Sequence, residues 1–379
     1  MVLVDLRRLP LPRISDRSTE SRLLGKTPLP SLKFDLLKLP HNLHSRPITK
    51  RQGKEPQSQI DTRRRNQRPT NTLTTLLATH GTLLFRSLPI TSASDFSAFA
   101  HAFGFKPHEI IGITIDRPEL ALNVAPANEA PHTVRIYNRN ESPQVPHAPE
   151  YVFFWSKKAP SSGGETPINS SLKLIHRAQK EIPEFIDALA EKGILTFGKE
   201  IVDGDDEATQ RAKIEKQIAR YGRGEYTTFE WRDGGETLVV SHRLPVIRTQ
   251  PGTNLPTLFT GLAAYYNKKI ESEKGSGAGR KNVADQLFGD GTPIPEVYLQ
   301  TLAKITDEIR VLHRWEDGDV LVFDNVIAQH GREPWGGEQG DRVVLASLFD
   351  SVVPGGYGFG GWSWLGRRWI ELCYFWKLA

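Results

Sequence analysis

Apolar residues in this chain come in short runs whose period changes several times. Thr72 to Thr79 fits a short helix that Gly81 would end, and Thr82-Leu83-Leu84-Phe85 follows as a strand. Ser92-Ala93-Ser94-Asp95 precedes Phe96, Phe99, Ala100 and Phe103. That spacing predicts an N-capped amphipathic helix: a serine oxygen can accept from a free first-turn amide, and the rings gather on one face. Beyond residue 134, strands are predicted at Tyr151–Trp155, Leu238–His242, Thr257–Thr260, Asp319–Phe323 and Arg342–Phe349. Helical spacing interrupts them at 171–191, 207–221 and 295–311. Many short strands with long helical insertions predict an α+β protein built round a jelly roll or barrel.

The first 69 residues have no such pattern. They are rich in Pro, Arg, Lys, Ser and Gln, a composition that cannot offset its ordering entropy, so they read as a basic, disordered extension. Residues 1–68 carry 16 Lys+Arg against 6 Asp+Glu, and the rest of the chain 33 against 38. The net charge of +5 therefore comes from the leading segment, and the body is mildly acidic, which argues against a nucleic-acid face on the folded domain. Arg63-Arg64-Arg65 leaves a nuclear signal or a polyanion-contacting tail open for the extension. A single cysteine, Cys373, excludes a disulfide framework and cysteine-based zinc sites. No apolar run nears the roughly 18 residues of a membrane span, and Met1 to Arg13 does not read as a secretory signal. The expectation is a cytoplasmic protein with no membrane partner. Its domain would cover residues 70–353, and a Gly- and Trp-rich tail residues 354–379.

Three further stretches carry candidate chemistry. One runs from Ala127-Asn128-Glu129-Ala130-Pro131 through Ile136-Tyr137-Asn138-Arg139-Asn140-Glu141 to Val152-Phe153-Phe154-Trp155. Another is Gly163-Gly164-Glu165-Thr166-Pro167-Ile168. The last is Gly318 to Asn325, then His330-Gly331-Arg332, then Arg342-Val343-Val344-Leu345-Ala346-Ser347. Together with His80 to Pro89, in this order and spacing, they resemble the taurine dioxygenase and clavaminate synthase-like family of iron(II)/2-oxoglutarate oxygenases, from about Leu76 to Asp350. The resemblance implies a double-stranded β-helix core flanked by helices. It also implies oxidation of a small carboxylate-, sulfonate- or amino-acid-like substrate by O2, with 2-oxoglutarate as co-substrate.

In that family two histidines and a carboxylate hold iron(II) on one face and leave three positions open. His330 matches the distant histidine, and Glu141 the carboxylate. Arg342, twelve residues beyond His330, matches the arginine that binds the far carboxylate of 2-oxoglutarate, a task suited to a planar guanidinium fork. Thr166 matches the hydroxyl donor to the same co-substrate. No catalytic residue beyond the metal site is implied.

The near histidine is where the chain departs. Its position falls on Arg139, and a guanidinium has no free lone pair for a metal. His147 lies six residues beyond Glu141, about 20 Å if extended, and Pro149 makes a regular helix through His147 and Glu150 improbable. His132 is no nearer, and His242 ends a predicted strand, either facing the cavity or satisfied in the core. Two readings follow: an oxygenase whose iron rests on Glu141 and His330, or a metal-deficient pseudoenzyme that keeps the fold. A third, of another class, is a binding protein acting through residues 1–69. Selectivity is expected from the 203–235 insertion and from Leu262-Ala263-Ala264-Tyr265-Tyr266.

Overall fold

The computed structural model describes residues 2–5, 69–108, 118–127, 130–201, 211–212, 215–216, 218, 226–232, 237–250, 255–273 and 286–350. The tail beyond residue 350 and residues 6–68 lie outside them, as do most of the 203–235 insertion and the 207–221 helix. The described residues form an α+β protein of helices and mainly antiparallel sheets.

The larger sheet has the order β1 (Val2–Asp5), β2 (Thr82–Arg86), β15 (Val320–Asp324), β6 (Tyr151–Lys158), β17 (Val343–Asp350) and β3 (Lys106–Pro107). The short strand β4 (Ala125–Pro126) also pairs with β17. A smaller sheet has the order β14 (Val311–His313), β7 (Thr166–Ser170), β16 (Ala328–Arg332) and β5 (Ile136–Arg139). A third joins β13 (Gln286–Phe288), β8 (Ile194–Ile201), β10 (Thr237–Leu244) and β9 (Thr227–Arg232). A two-stranded ladder pairs β11 (Ile247–Thr249) with β12 (Pro256–Leu258).

The run Val320-Leu321-Val322-Phe323 is fully buried because its sheet is covered on both faces. Val320 and Val322 join Phe85, Phe153, Trp155, Leu345 and Phe349 on the outer face. There they meet Leu73 and Leu77 of α1 (Pro69–His80) and Phe96 and Phe99 of α2 (Ala93–His101). Leu321 and Phe323 point the other way, into a cluster with Val152, Phe154, Val344 and, from the smaller sheet, Ile168 and Ala328. Strand alternation thus splits one apolar run between two cores, and the inner one joins the two sheets. A third core gathers α3 (Ser171–Glu181), α4 (Pro183–Lys192), α5 (Leu262–Glu273) and α6 (Glu296–Ile309).

Several expected elements are present with altered limits. The cap of α2 is a full capping box: Asp95 N donates to Ser92 Oγ at 3.1 Å and Ser92 N to Asp95 Oδ2 at 3.0 Å. The single helix expected over 171–191 is two, because Pro183 lacks the amide the helix would need and instead opens the second. Leu262 to Tyr266, expected as a selectivity segment, begins helix α5. Val2–Asp5, placed by the sequence in the disordered extension, is a parallel edge strand on β2 with Val2 opposite Leu83 and Val4 opposite Phe85. Two valines in alternate places favour a strand here, and the free edge of β2 that receives it is something a local composition reading does not see.

Candidate active site

The site is built where the two sheets meet. On β16, His330 lies opposite Ile168 of β7 and opposite Arg139 of β5. Its ring is buried against Phe154 at 5.0 Å and Phe323 at 5.3 Å between centroids. His330 Nε2 stands 3.1 Å from Glu141 Oε2. Nδ1 of the same ring is buried without a hydrogen-bond partner, so the imidazole proton belongs on Nε2, facing Glu141. Gly331 lets β5 and β16 approach: a Cβ there would lie 2.4 Å from the Ile136 carbonyl oxygen.

Glu141 sits just past the end of β5, and an asparagine network fixes it. Asn325, fully buried, accepts from Glu141 N at 2.6 Å and donates through Nδ2 to the carbonyls of Glu141 and Pro149 at 3.1 and 2.7 Å. Asn140, also fully buried, donates to the Asn325 carbonyl at 2.6 Å and accepts from Thr260 N and Gln329 Nε2 at 2.8 and 3.1 Å. Alternation along β5 and just past its end turns Asn138 toward the Pro167 carbonyl and Asn169, and Asn140 into this network, while Arg139 and Glu141 line the pocket.

Across the pocket, Arg342 Nε donates to the Gly164 carbonyl at 3.0 Å, and its guanidinium lies 5.9 Å from the Trp315 ring and 5.7 Å from Trp335. Burial first, and the Arg332 charge second, push the Arg342 pKa down to about 9. Burial pushes Arg332 down to about 10, while its guanidinium donates to the carbonyls of Ala130, Pro131 and Val134. Gly163 and Gly164 have positive φ and pack so tightly on Pro334, Pro160 and Arg342 that a Cβ on either would clash. The Thr166 hydroxyl is buried and accepts from Trp315 Nε1 at 3.0 Å, which leaves its own proton to donate.

All four residues singled out for chemistry, Glu141, His330, Thr166 and Arg342, line one pocket, and so does Arg139. None of the other described histidines lines it. His147 bonds Asp350, His242 Nδ1 is paired with Thr227 Oγ1 at 2.8 Å on the third sheet, and His132 packs 5.8 Å from Trp335. Trp315, Trp335, Arg332, Asn140, Asn325 and Gln329 shape the site without having been assigned a role. The motif stretches contain Asn140, beside Glu141, and Asn325 and Arg332, on either side of His330, and give no signal for the other three.

Among the described residues, the lining carries three guanidiniums, those of Arg139, Arg332 and Arg342, against the one carboxylate of Glu141. Such a surface selects anions. The Glu141–His330 separation also suits a divalent ion: two adjacent ligands about 2.1 Å from one ion lie about 3 Å apart. These two residues fit as donors, and Arg139, opposite His330 on β5 and in the same lining, offers no lone pair as a third.

The family model described as "Taurine catabolism dioxygenase TauD, TfdA family" matches residues 44–347. The chain belongs to this family. TauD-type enzymes are iron(II)/2-oxoglutarate-dependent oxygenases, as the motif resemblance implied. A clavaminate synthase-like protein of Arabidopsis thaliana is 31% identical over 73% of this chain and 83% of its own length. The dapdiamide synthesis protein DdaC of Enterobacter agglomerans is 24% identical over 74% and 85%. A taurine dioxygenase structure from Burkholderia xenovorans is 14% identical, with a TM-score of 0.42 over 78% of this chain and 83% of that one. Among the described residues, no helix of this TauD-family chain is long and apolar enough to cross a membrane.

Proposed function

We propose that this chain is an iron(II)/2-oxoglutarate-dependent dioxygenase acting on a small anionic substrate, a carboxylate, sulfonate or amino acid. The observation that carries the reading is the contact of Glu141 with His330, 3.1 Å apart, in a pocket whose far wall presents Arg342 and Thr166. In this reading the two facing sheets are the two halves of a double-stranded β-helix, which the shared inner core supports.

Glu141 and His330 would hold the iron, which with 2-oxoglutarate and O2 supplies the oxidising power for hydroxylation, desaturation or ring closure. The rest is done by the chain. Arg342 and Thr166 bind the far carboxylate of 2-oxoglutarate, the first as a fork and the second through its free proton. The tryptophans on either side hold the guanidinium in plane. Phe154 and Phe323 keep water from one side of His330. The Asn140–Asn325 network fixes the Glu141 backbone and so keeps its carboxylate beside His330, whose Nε2 proton would leave or move to Nδ1 to free a lone pair for the ion. Arg139 and Arg332 add charge for an anionic substrate.

The test is an anaerobic titration of iron(II) into the purified protein with 2-oxoglutarate, reading the metal-to-ligand charge-transfer band. Saturation near one equivalent supports the reading. A protein that stays silent at millimolar metal, yet gives the band as Arg139→His, would sink it in favour of a metal-deficient fold.

A further inference from the structure

A second group of side chains able to ligate a metal lies outside the pocket lining. His108 follows β3, His147 belongs to the loop after Glu141, and Asp350 ends β17. His108 Nδ1 is 2.8 Å from Asp350 Oδ1, and His147 Nε2 is 3.1 Å from Asp350 Oδ2. The two imidazoles stack with centroids 5.0 Å apart and planes 6° from parallel, so both turn a nitrogen toward the same carboxylate. The three ligand atoms lie within 4.8 Å of one another. Val344, which lines the pocket, and Asp350 share one face of β17 six residues, about 20 Å, apart, and none of the three ligands lines the pocket.

We propose that His108, His147 and Asp350 form a second site for a divalent transition-metal ion of the zinc type, separate from the oxygenase pocket. Two imidazoles and one carboxylate are a donor set such ions favour, with the fourth position left to water. Bonds of about 2.0–2.2 Å span ligand atoms about 3.4 Å apart in a tetrahedron; the imidazoles face different oxygens of Asp350, at 2.8 and 3.1 Å, so a turn of the carboxylate would bring one oxygen to serve both. The third pair closes by rotation of His147, whose side chain is 29% exposed and also gives the ion its way in, while those of His108 and Asp350 are 3% and 11% exposed. Both carboxylate oxygens of Asp350 face the imidazoles, one to each ring. The three residues come from separate parts of the chain, so an ion would tie the end of β17 to the β3 segment and to the loop that follows Glu141.

The experiment uses full-length, metal-stripped protein carrying Glu141→Ala and His330→Ala, which removes the pocket donors. Zn2+ is titrated against a chromophoric chelator, and circular dichroism and melting of the metal-free proteins check the fold. The expected result is one equivalent of Zn2+ retained, with affinity at least about tenfold weaker when His147→Ala or Asp350→Asn is added. No Zn2+ uptake by the pocket-deficient protein, or uptake that His147→Ala leaves unchanged, overturns the proposal. Should those added variants fail to fold, Co2+ is bound to the pocket-deficient parent instead. The d–d bands of an imidazole-bound, four-coordinate ion support the site, and their absence overturns it. Because the pocket donors are already gone, neither result bears on the oxygenase reading.

Discussion

Replacing Arg342 by glutamine separates ligand binding from folding. In the proposed complex the guanidinium makes charge-assisted contacts to the far carboxylate of 2-oxoglutarate, each class of contact worth about 1.5–3 kcal/mol net. Glutamine keeps much of the length but neither the charge nor the fork, so 2-oxoglutarate should bind about 10- to 150-fold more weakly. Stability should move little. The variant loses the hydrogen bond from Nε to Gly164, yet it also removes a buried cation that burial and Arg332 already disfavour. These effects oppose one another, and a net change within about 1 kcal/mol is expected. Anaerobic calorimetry of 2-oxoglutarate with metal-loaded protein gives the affinity, and a thermal melt without ligand gives the stability. An affinity within twofold of the parent would refute the assignment of Arg342 to the co-substrate. A collapse of stability would show that the residue serves the fold first.

Arg139→His adds an imidazole opposite His330, and iron(II) should bind at least about tenfold more tightly, read by the charge-transfer titration; no change would place Arg139 away from the metal. Gly331→Ala forces a Cβ against the Ile136 carbonyl, which should cost about 1–3 kcal/mol in denaturant melts and weaken iron binding as β5 shifts. Phe323→Ala empties a fully buried site between the sheets and should destabilise the protein by about 3–5 kcal/mol in the same assay. Burial lowers the His242 pKa to about 4 from 6.5, so above pH 6.5 both states are neutral there. As pH falls from 6.5 to 4 the unfolded chain protonates first, and stability should drop by at most about 3 kcal/mol, a slope that His242→Gln flattens.

The candidate ligands were legible because the chemistry fixes residue types at short range. A strand period of two puts residues 139 and 141 on one side, and the Gly-Gly-Glu-Thr and His-Gly-Arg runs stand out as motifs, although the close approaches their glycines permit are to Pro334 and Ile136, far away in the chain. The buried Val320–Phe323 run and the Ser92 cap were equally local signals. The break at Pro183 was present in the sequence but was outweighed by the continuing helical period on both sides.

What the amino-acid order determined by itself, then, is the family, the strands that alternate around the site, and the four residues carried into it, together with the arginine that stands where a ligand is expected. Tertiary structure alone decided the partners. Asn325 reaches Glu141 from 184 positions away, and Asp350 reaches His108 across 242. The parallel seat of Val2–Asp5 on β2 likewise depends on an edge made elsewhere. Hydrogen-bond geometry acts over about 3 Å, and a local pattern holds no information about which distant group will arrive within that distance.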